Sequence, residues 1–244
     1  MAVVAAAAEA ELRAAGTPER AEHEKAYLKS AVEHAGTPVP VIRQLAKRIR
    51  REHGGLDAAV TFTLATELWA GPLHERRMLA VVLLGSGADT MVPSDLIRLE
   101  PLLRDSRTWA LVDGLAGDVA ATIVLHHATD STVDEVLRRW GCDDDFWVRR
   151  ASLLAHLKSL GSKGDFEGWE RFCGLADAML DEREFFVRKA IGWVLREAGK
   201  HRPEAVVDFV APRVSRISGV TIREAVRYLG PVDRDALMSA YRNS

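Results

Sequence analysis

Cysteine is nearly missing from this 244-residue chain: only Cys142 and Cys173 occur, far apart and in no CxxC or Cys/His ligand spacing. That excludes a disulfide framework and gives no zinc signature, so a reducing, cytoplasmic compartment is expected. A surplus of either charge is missing too, with a formal net charge of −2. The surface is therefore not coated in basic residues, while a local basic groove on a near-neutral body stays open. No stretch approaches the roughly 20 apolar residues that span a bilayer. The start, MAVVAAAAEAELRAAG, lacks the basic n-region of a signal peptide and is interrupted by Glu9 and Glu11. The chain reads as soluble, with an Ala-rich helical segment at 1–17 and no membrane partner. A P-loop, a dinucleotide fingerprint and a nucleophile elbow are all lacking, and His23-Glu24 and His74-Glu75 lack the second His of HExxH. No cofactor and no metal are expected.

What the chain does have is core material: 48% hydrophobic against 28% charged residues, enough for a substantial globular interior. Period-2 alternation is nearly absent and 3.6-residue periodicity recurs, so the fold class is all-α. Helices are expected at 4–15, 18–34, 39–52, 56–69, 72–84, 93–102, 106–126, 131–139, 144–160, 165–179, 183–199, 203–214 and 219–228. Breaks fall at turn chemistry: Gly-Thr-Pro at 16–18 and 36–38, Gly54-Gly55, Gly71-Pro72, Gly85-Ser86-Gly87, Gly161 to Gly164 and Arg202-Pro203.

Self-similarity carries more information. FWVRRA at 146–151 and FFVRKA at 185–190 align without gaps 39 residues apart, TIREA at 221–225 follows at a spacing of 35, and HERRMLA at 74–80 is a fainter copy. Such periods, built from helix pairs, mark a HEAT-like solenoid, a curved stack in which each pair buries its apolar face on the next. One such domain over 1–244 is expected, with a concave surface. Arg149, Arg188 and Arg223 then pair with acids of adjacent repeats, while Arg150 and Lys189 point elsewhere, freer to meet a ligand.

Two aromatic and polar pairings stand out on this background. In FFVRKAIGWVLREAGK, Lys189, Trp193, Arg196 and Lys200 fall at i, i+4, i+7 and i+11, opposite an apolar face. Either the Trp193 ring covers a neighbouring helix, or it belongs to a surface for something anionic with a flat or cationic part. In DSRTWALVDGLAGDVAATIVLHH, Trp109 and Asp113 lie four apart on a helix capped by Asp105 or Ser106. Asp113 is flanked by small and apolar residues, so it either pairs with an Arg of the next repeat or is approached closely by a ligand. Asp143 to Asp145 read as a cap for the following helix, not as a metal site.

WALVD at 109–113, FWVRRASLLAHLK at 146–158 and EFFVRKAIGWVLREAGKHRPEAVVDF at 184–209 resemble the DNA alkylation repair family, the AlkD-like DNA glycosylases built from HEAT-like repeats. The resemblance runs from about Tyr27 to the C-terminus. It implies release of N3- or N7-alkylated purines from double-stranded DNA on a concave basic surface, without drawing the base into a pocket. By motif, Asp113 matches the family's catalytic aspartate, Trp109 and Trp193 its tryptophans against the lesion, and Tyr27 in KAYLKS a third aromatic. Arg150, Lys158 and Arg196 match basic positions facing DNA, and Lys189 and Lys200 extend the stripe. A monomer, nucleoid-associated when bound, is expected.

The chemistry is consistent with one carboxylate. Alkylation at N3 or N7 gives the purine a fixed positive charge that weakens the glycosidic bond, so the leaving group needs no general acid. Asp113 then stabilises the developing oxocarbenium and orients water. Tryptophan faces attract the cationic base by roughly 0.5–2 kcal/mol, and the basic stripe holds phosphates without reading sequence. The rival expectation is a non-catalytic HEAT scaffold binding DNA or protein on the same face. Against it stands Asp113, since a carboxylate repels phosphates.

Overall fold

A computed structural model describes residues 1–161 and 166–244. Among them every regular element is helical except an isolated parallel bridge between Glu33 and Leu73, so the chain is all-α. The chain forms two compact units, Met1–Val119 and Ala120–Ser244.

The first unit contains α1 (Ala2–Ala15), α2 (Pro18–Leu28), α3 (Val39–Glu52), α4 (Ala58–Trp69), α5 (His74–Gly87), α6 (Asp95–Ser106) and α7 (Trp109–Gly114). Two of its helices start where the side chain before them replaces the missing turn: Thr17 accepts from the Arg20 amide ahead of Pro18, and Asp57 from the Val60 amide at 2.7 Å. Such caps contribute about 1 kcal/mol each. The core gathers on α5, whose Leu79, Leu83 and Leu84 are fully buried and which packs on α3, α4 and α7. Gly114 lets α7 approach α5 closely, since a Cβ there would stand 2.5 Å from Val81 Cγ1.

A single turn of π-helix, Leu115–Ala120, follows α7 and leads into α8 (Ala121–His126). The second unit continues with α9 (Ser131–Gly141), α10 (Phe146–Leu154), α11 (Leu157–Leu160), α12 (Trp169–Ala178), α13 (Phe185–Gly199), α14 (Pro203–Val210), α15 (Gly219–Ala225) and α16 (Pro231–Arg242). The three sequence copies occupy α10, α13 and α15. Their matching aliphatic residues Val148, Val187 and Ile222 and their alanines Ala151, Ala190 and Ala225 are all fully buried. Helix α13 packs on both α10 and α15. At the second crossing Gly192 is required, because a Cβ would lie 2.8 Å from both the Thr221 carbonyl oxygen and Glu224 Cβ.

Ion pairs link residues about one repeat apart in this unit: Arg149 to Glu182 at 2.9 Å, Arg171 to Asp134 at 2.5 Å, Arg213 to Asp177 at 2.6 Å and Arg216 to Asp181 at 2.8 Å. The structural role expected of Arg149 is met by Glu182. Arg188 donates to the Glu182 carbonyl oxygen at 2.5 Å, and Arg223 is exposed, so acidic pairing does not extend to every copy.

Several expected boundaries move, each for a local reason. The helix expected over 18–34 ends at Leu28 because Lys29 adopts a left-handed conformation (φ 50°). Gly85-Ser86-Gly87 does not break α5, because Gly87 packs against Arg50 and Thr61. The helix expected from 106 begins at Trp109, since Arg107 is left-handed (φ 52°). The 144–160 helix is broken at Ala155 and His156. Helix α16 buries only Leu237, too little apolar periodicity to be read from sequence. Of the break at Gly161 to Gly164, the residues after Gly161 lie outside the described segments, as does Asp165, the expected start of the 165–179 helix. The segment Trp109–His126 is, at 18 residues, long and apolar enough to cross a membrane by composition, contrary to expectation. Burial of 56% of it and its π turn fit a core helix.

Candidate nucleic-acid interface

In the first unit the candidate residues lie on α7 and α2. Thr108 precedes α7 with extended backbone, which starts the helix at Trp109. Asp105, expected as a cap, is engaged elsewhere: its carboxylate accepts from Trp69 Nε1 at 3.1 Å and pairs with Arg77 at 3.0 Å. Ser106 donates to the Leu102 carbonyl oxygen. Neither caps α7. Trp109 and Asp113 are both partly exposed, while the intervening Leu111 and Val112 are fully buried, so α7 turns its two polar-edged residues away from the core. Tyr27, from the last turn of α2 and 66% exposed, meets Trp109 edge-on, with ring centroids 5.7 Å apart and planes at 86°. Three of the expected site residues thus share one patch of the first unit. The π turn that begins at Leu115, two residues after Asp113, is a local irregularity of a kind frequent at functional sites.

In the second unit the candidate cations have environments that differ from one another. On α13, Trp193 is partly exposed and Arg196 lies over its ring at 5.9 Å. Arg196 also pairs with Glu224 and, at 3.3 Å, with Glu197, and Lys200 pairs with Glu197 at 2.5 Å while lying 4.9 Å over the Tyr228 ring. Burial alone would raise the Glu197 carboxyl, yet Lys200 and Arg196 hold it below the ordinary carboxylate value. The row therefore contains its own counterions. Lys189 is exposed and sits 5.9 Å over the Phe185 ring. Lys158, on α11, is half-buried and donates to Thr122 Oγ1.

Arg150 corrects the sequence reading. Expected to be the freer of the two arginines, it is 2% exposed, donates to the Phe186 carbonyl oxygen at 2.5 Å and lies 5.8 Å over the Phe186 ring. Its partner in the motif, Arg149, is the more exposed one. The reason is local: the aromatics Phe146, Trp147 and Phe186 form a cluster with centroid separations of 4.4 to 6.4 Å, and the Arg150 guanidinium is drawn onto it.

Sequence reasoning missed two participants. Glu197 and Glu224 were legible as acids but were not read as partners, and Glu224 reaches Arg196 only through the α13/α15 crossing. Beside Tyr27, Glu24, His34 and Glu75 bring one ligand atom each to within 4.8 Å of one another, the one such metal-capable cluster among the described residues.

A family profile described as "DNA alkylation repair enzyme" matches residues 8–229. The chain is also similar in structure to a predicted DNA alkylation repair enzyme from Enterococcus faecalis, with a TM-score of 0.77 and 22% identity, covering 88% of this chain and 97% of that one. No curated protein is significantly similar.

Proposed function

The chain belongs to the DNA alkylation repair enzyme family, and we propose that it releases cationic N3- or N7-alkylated purines from double-stranded DNA by hydrolysing the N-glycosidic bond, without a base-flipping pocket. The observation that carries this reading is the patch of Tyr27, Trp109 and Asp113, in which two aromatic rings in edge contact stand beside a partly exposed carboxylate. A surface that only held phosphates would gain nothing from that carboxylate, which repels them.

In this reaction water adds to C1′ of the deoxyribose as the C–N bond breaks, and the bonding pair leaves with the purine. The lesion's fixed charge is thereby neutralised, so no proton has to reach the base. Asp113 faces the growing positive charge on the sugar and takes up the water proton, directly or by way of solvent. Trp109 packs against the lesion nucleotide while Tyr27 holds its edge, and Trp193 is the second unit's own aromatic for DNA. Lys189 is the exposed cation ready for a phosphate. Arg196 and Lys200 contact phosphates by exchanging Glu224 and Glu197 for them, and because each freed carboxylate takes up a cation, their share of the salt dependence is weaker than that of an unpaired cation. Lys158 is held by Thr122, and Arg150, buried against Phe186, braces the helices of the second unit.

Two experiments test this reading. Asp113→Asn should lower base release from duplex carrying one N7-methylguanine by at least about 10², while leaving DNA affinity equal or higher. Activity near that of the native chain would remove Asp113 from the mechanism and favour the scaffold reading. The native chain should also release 7-methylguanine far faster than hypoxanthine, whose uncharged glycosidic bond is less activated. Equal rates would defeat the charge argument.

A further inference from the structure

Most buried imidazoles in folded proteins find partners for their ring nitrogens, because an unmade hydrogen bond at a buried polar atom costs about 1–3 kcal/mol. In the first unit two imidazoles break this rule together. The bridge between Glu33 and Leu73, made by Glu33 N–H to the Pro72 carbonyl and His74 N–H to the Glu33 carbonyl at 2.9 Å, pins the loop after α2 against the start of α5. His34 and His74 are thereby stacked, with centroids 4.5 Å apart and planes at 12°. Both ring nitrogens of His34 and Nδ1 of His74 are buried and lack a hydrogen-bond partner among the described residues. His74 is 5% exposed and, with Glu24 and Glu75, lines a cavity of about 160 Å³ that also reaches Tyr27 and Ala110.

The carboxylates around this pair are arranged for a cation. Glu75, 1% exposed, accepts from the backbone amides of Ala35, Gly36 and Thr37, mostly through Oε1. Oε2 takes only the Ala35 amide, at 3.0 Å, and keeps lone-pair capacity. Glu24 pairs with Arg20 through Oε1 at 2.6 Å, a solvent-facing contact of little energy. The ligand atoms of Glu24, His34 and Glu75 lie within 4.8 Å of one another. Ligands about 2.0–2.2 Å from a tetrahedral zinc are separated by roughly 3.3–3.6 Å, so rotation of the Glu24 side chain closes the set.

We infer that Glu24, His34 and Glu75 form a binding site for a divalent transition-metal ion of the zinc class, which clamps α2, and with it Tyr27, to the start of α5. One imidazole and two carboxylates make a borderline nitrogen and oxygen donor set, suited to zinc-class ions over the harder magnesium. Three protein ligands leave a fourth position for water. A clamp has something to hold: no residue of α2 is buried, and Gly36 packs close on Thr17 and Ala21 at its N-terminal end. The site is independent of the base-release reading, and its test does not involve DNA.

Full-length protein stripped with a chelator and dialysed should bind one equivalent of Zn²⁺ in calorimetric titration. Co²⁺ should give the visible absorption of a four-coordinate site, and hydrogen exchange over residues 18–28 should slow on Zn²⁺ binding. His34→Phe, which keeps a ring to stack on His74, and Glu24→Gln, which loses only the exposed Arg20 contact, should fold as the native chain does by circular dichroism and bind Zn²⁺ at least tenfold more weakly. Substoichiometric binding by the native chain, or unchanged affinity in both folded variants, would overturn the site. Binding without slower exchange in 18–28 would overturn the clamp, and competition by Mg²⁺ at equal concentration would overturn the zinc-class assignment.

Discussion

Helix α13 buries eight of its fifteen residues, whereas α2 buries none of its eleven, yet each carries an aromatic side chain proposed to meet DNA. Trp193 stands on a helix fixed by Val187, Ile191, Val194 and Leu195 in the core. Tyr27 stands on a helix held at its rim by a Thr17 cap and the edge of Trp109. Burial fixes the first ring through dozens of weak contacts, while the second depends on a few polar and edge interactions. An aromatic can therefore be placed by a core or by a border, and only the first placement survives the loss of any one contact.

The strongest way to break this comparison is to remove apolar volume from each helix. Leu195→Ala, at a fully buried position, should cost about 2–5 kcal/mol in urea unfolding. Leu28→Ala, at the partly exposed end of α2, should cost less than about 1 kcal/mol. Equal costs would show that α2 shares the core after all.

Acid sharpens the contrast within the second unit's interior. His156 is fully buried, with Nδ1 within 3.0 Å of the Ser152 carbonyl oxygen and Nε2 accepting from Arg171 Nε at 3.1 Å. Burial first, then the Arg171 charge, pushes its pKa down to about 3. The unfolded chain therefore binds a proton that the folded one refuses, and stability falls as pH drops from about 6.5 towards 3. Denaturation at pH 7 and pH 4.5 should show this slope, and His156→Gln should flatten it while lowering stability at pH 7. An unchanged slope in the variant would assign the acid sensitivity to other groups.

The smallest effect concerns the two rings themselves. Trp193→Ala should reduce release of 7-methylguanine roughly 2- to 30-fold, the span of a cation–π contact. Tyr27→Phe should change it less than about twofold, because edge packing on Trp109 persists without the hydroxyl. A larger loss for Tyr27→Phe would reveal a role for that hydroxyl in the reaction.

Much of this architecture was legible because the repeats print their core register directly: the aliphatic and alanine positions of FWVRRA, FFVRKA and TIREA are buried in all three copies. Asp145 was expected to cap the next helix, and it accepts from the Trp147 amide at 2.8 Å. What sequence could not give were properties created by long-range contact. Arg150 is buried because Phe186, from the next repeat, lies across it. Arg196 looks like a bare cation in a helical stripe, but Glu224 arrives from α15; the Lys200 to Glu197 pair, at i and i+3 at the end of α13, was within reach of sequence reading. His34 was assigned to a helix, so its stacking on His74, forty residues away, had no sequence signal.

Gly192 gives this arrangement a built-in tolerance. With a Cβ contact of 2.8 Å waiting on α15, the crossing distance is set by a hydrogen atom in place of a side chain. Glu224 belongs to the same contact and holds Arg196, so the spacing of two helices also sets the charge that the neighbouring Trp193 surface displays. A methyl group at position 192 would act as a wedge, pushing the acid away from the arginine. The surface would become more cationic without any change in its formal charge, and a packing defect would be read out as altered grip on a polyanion.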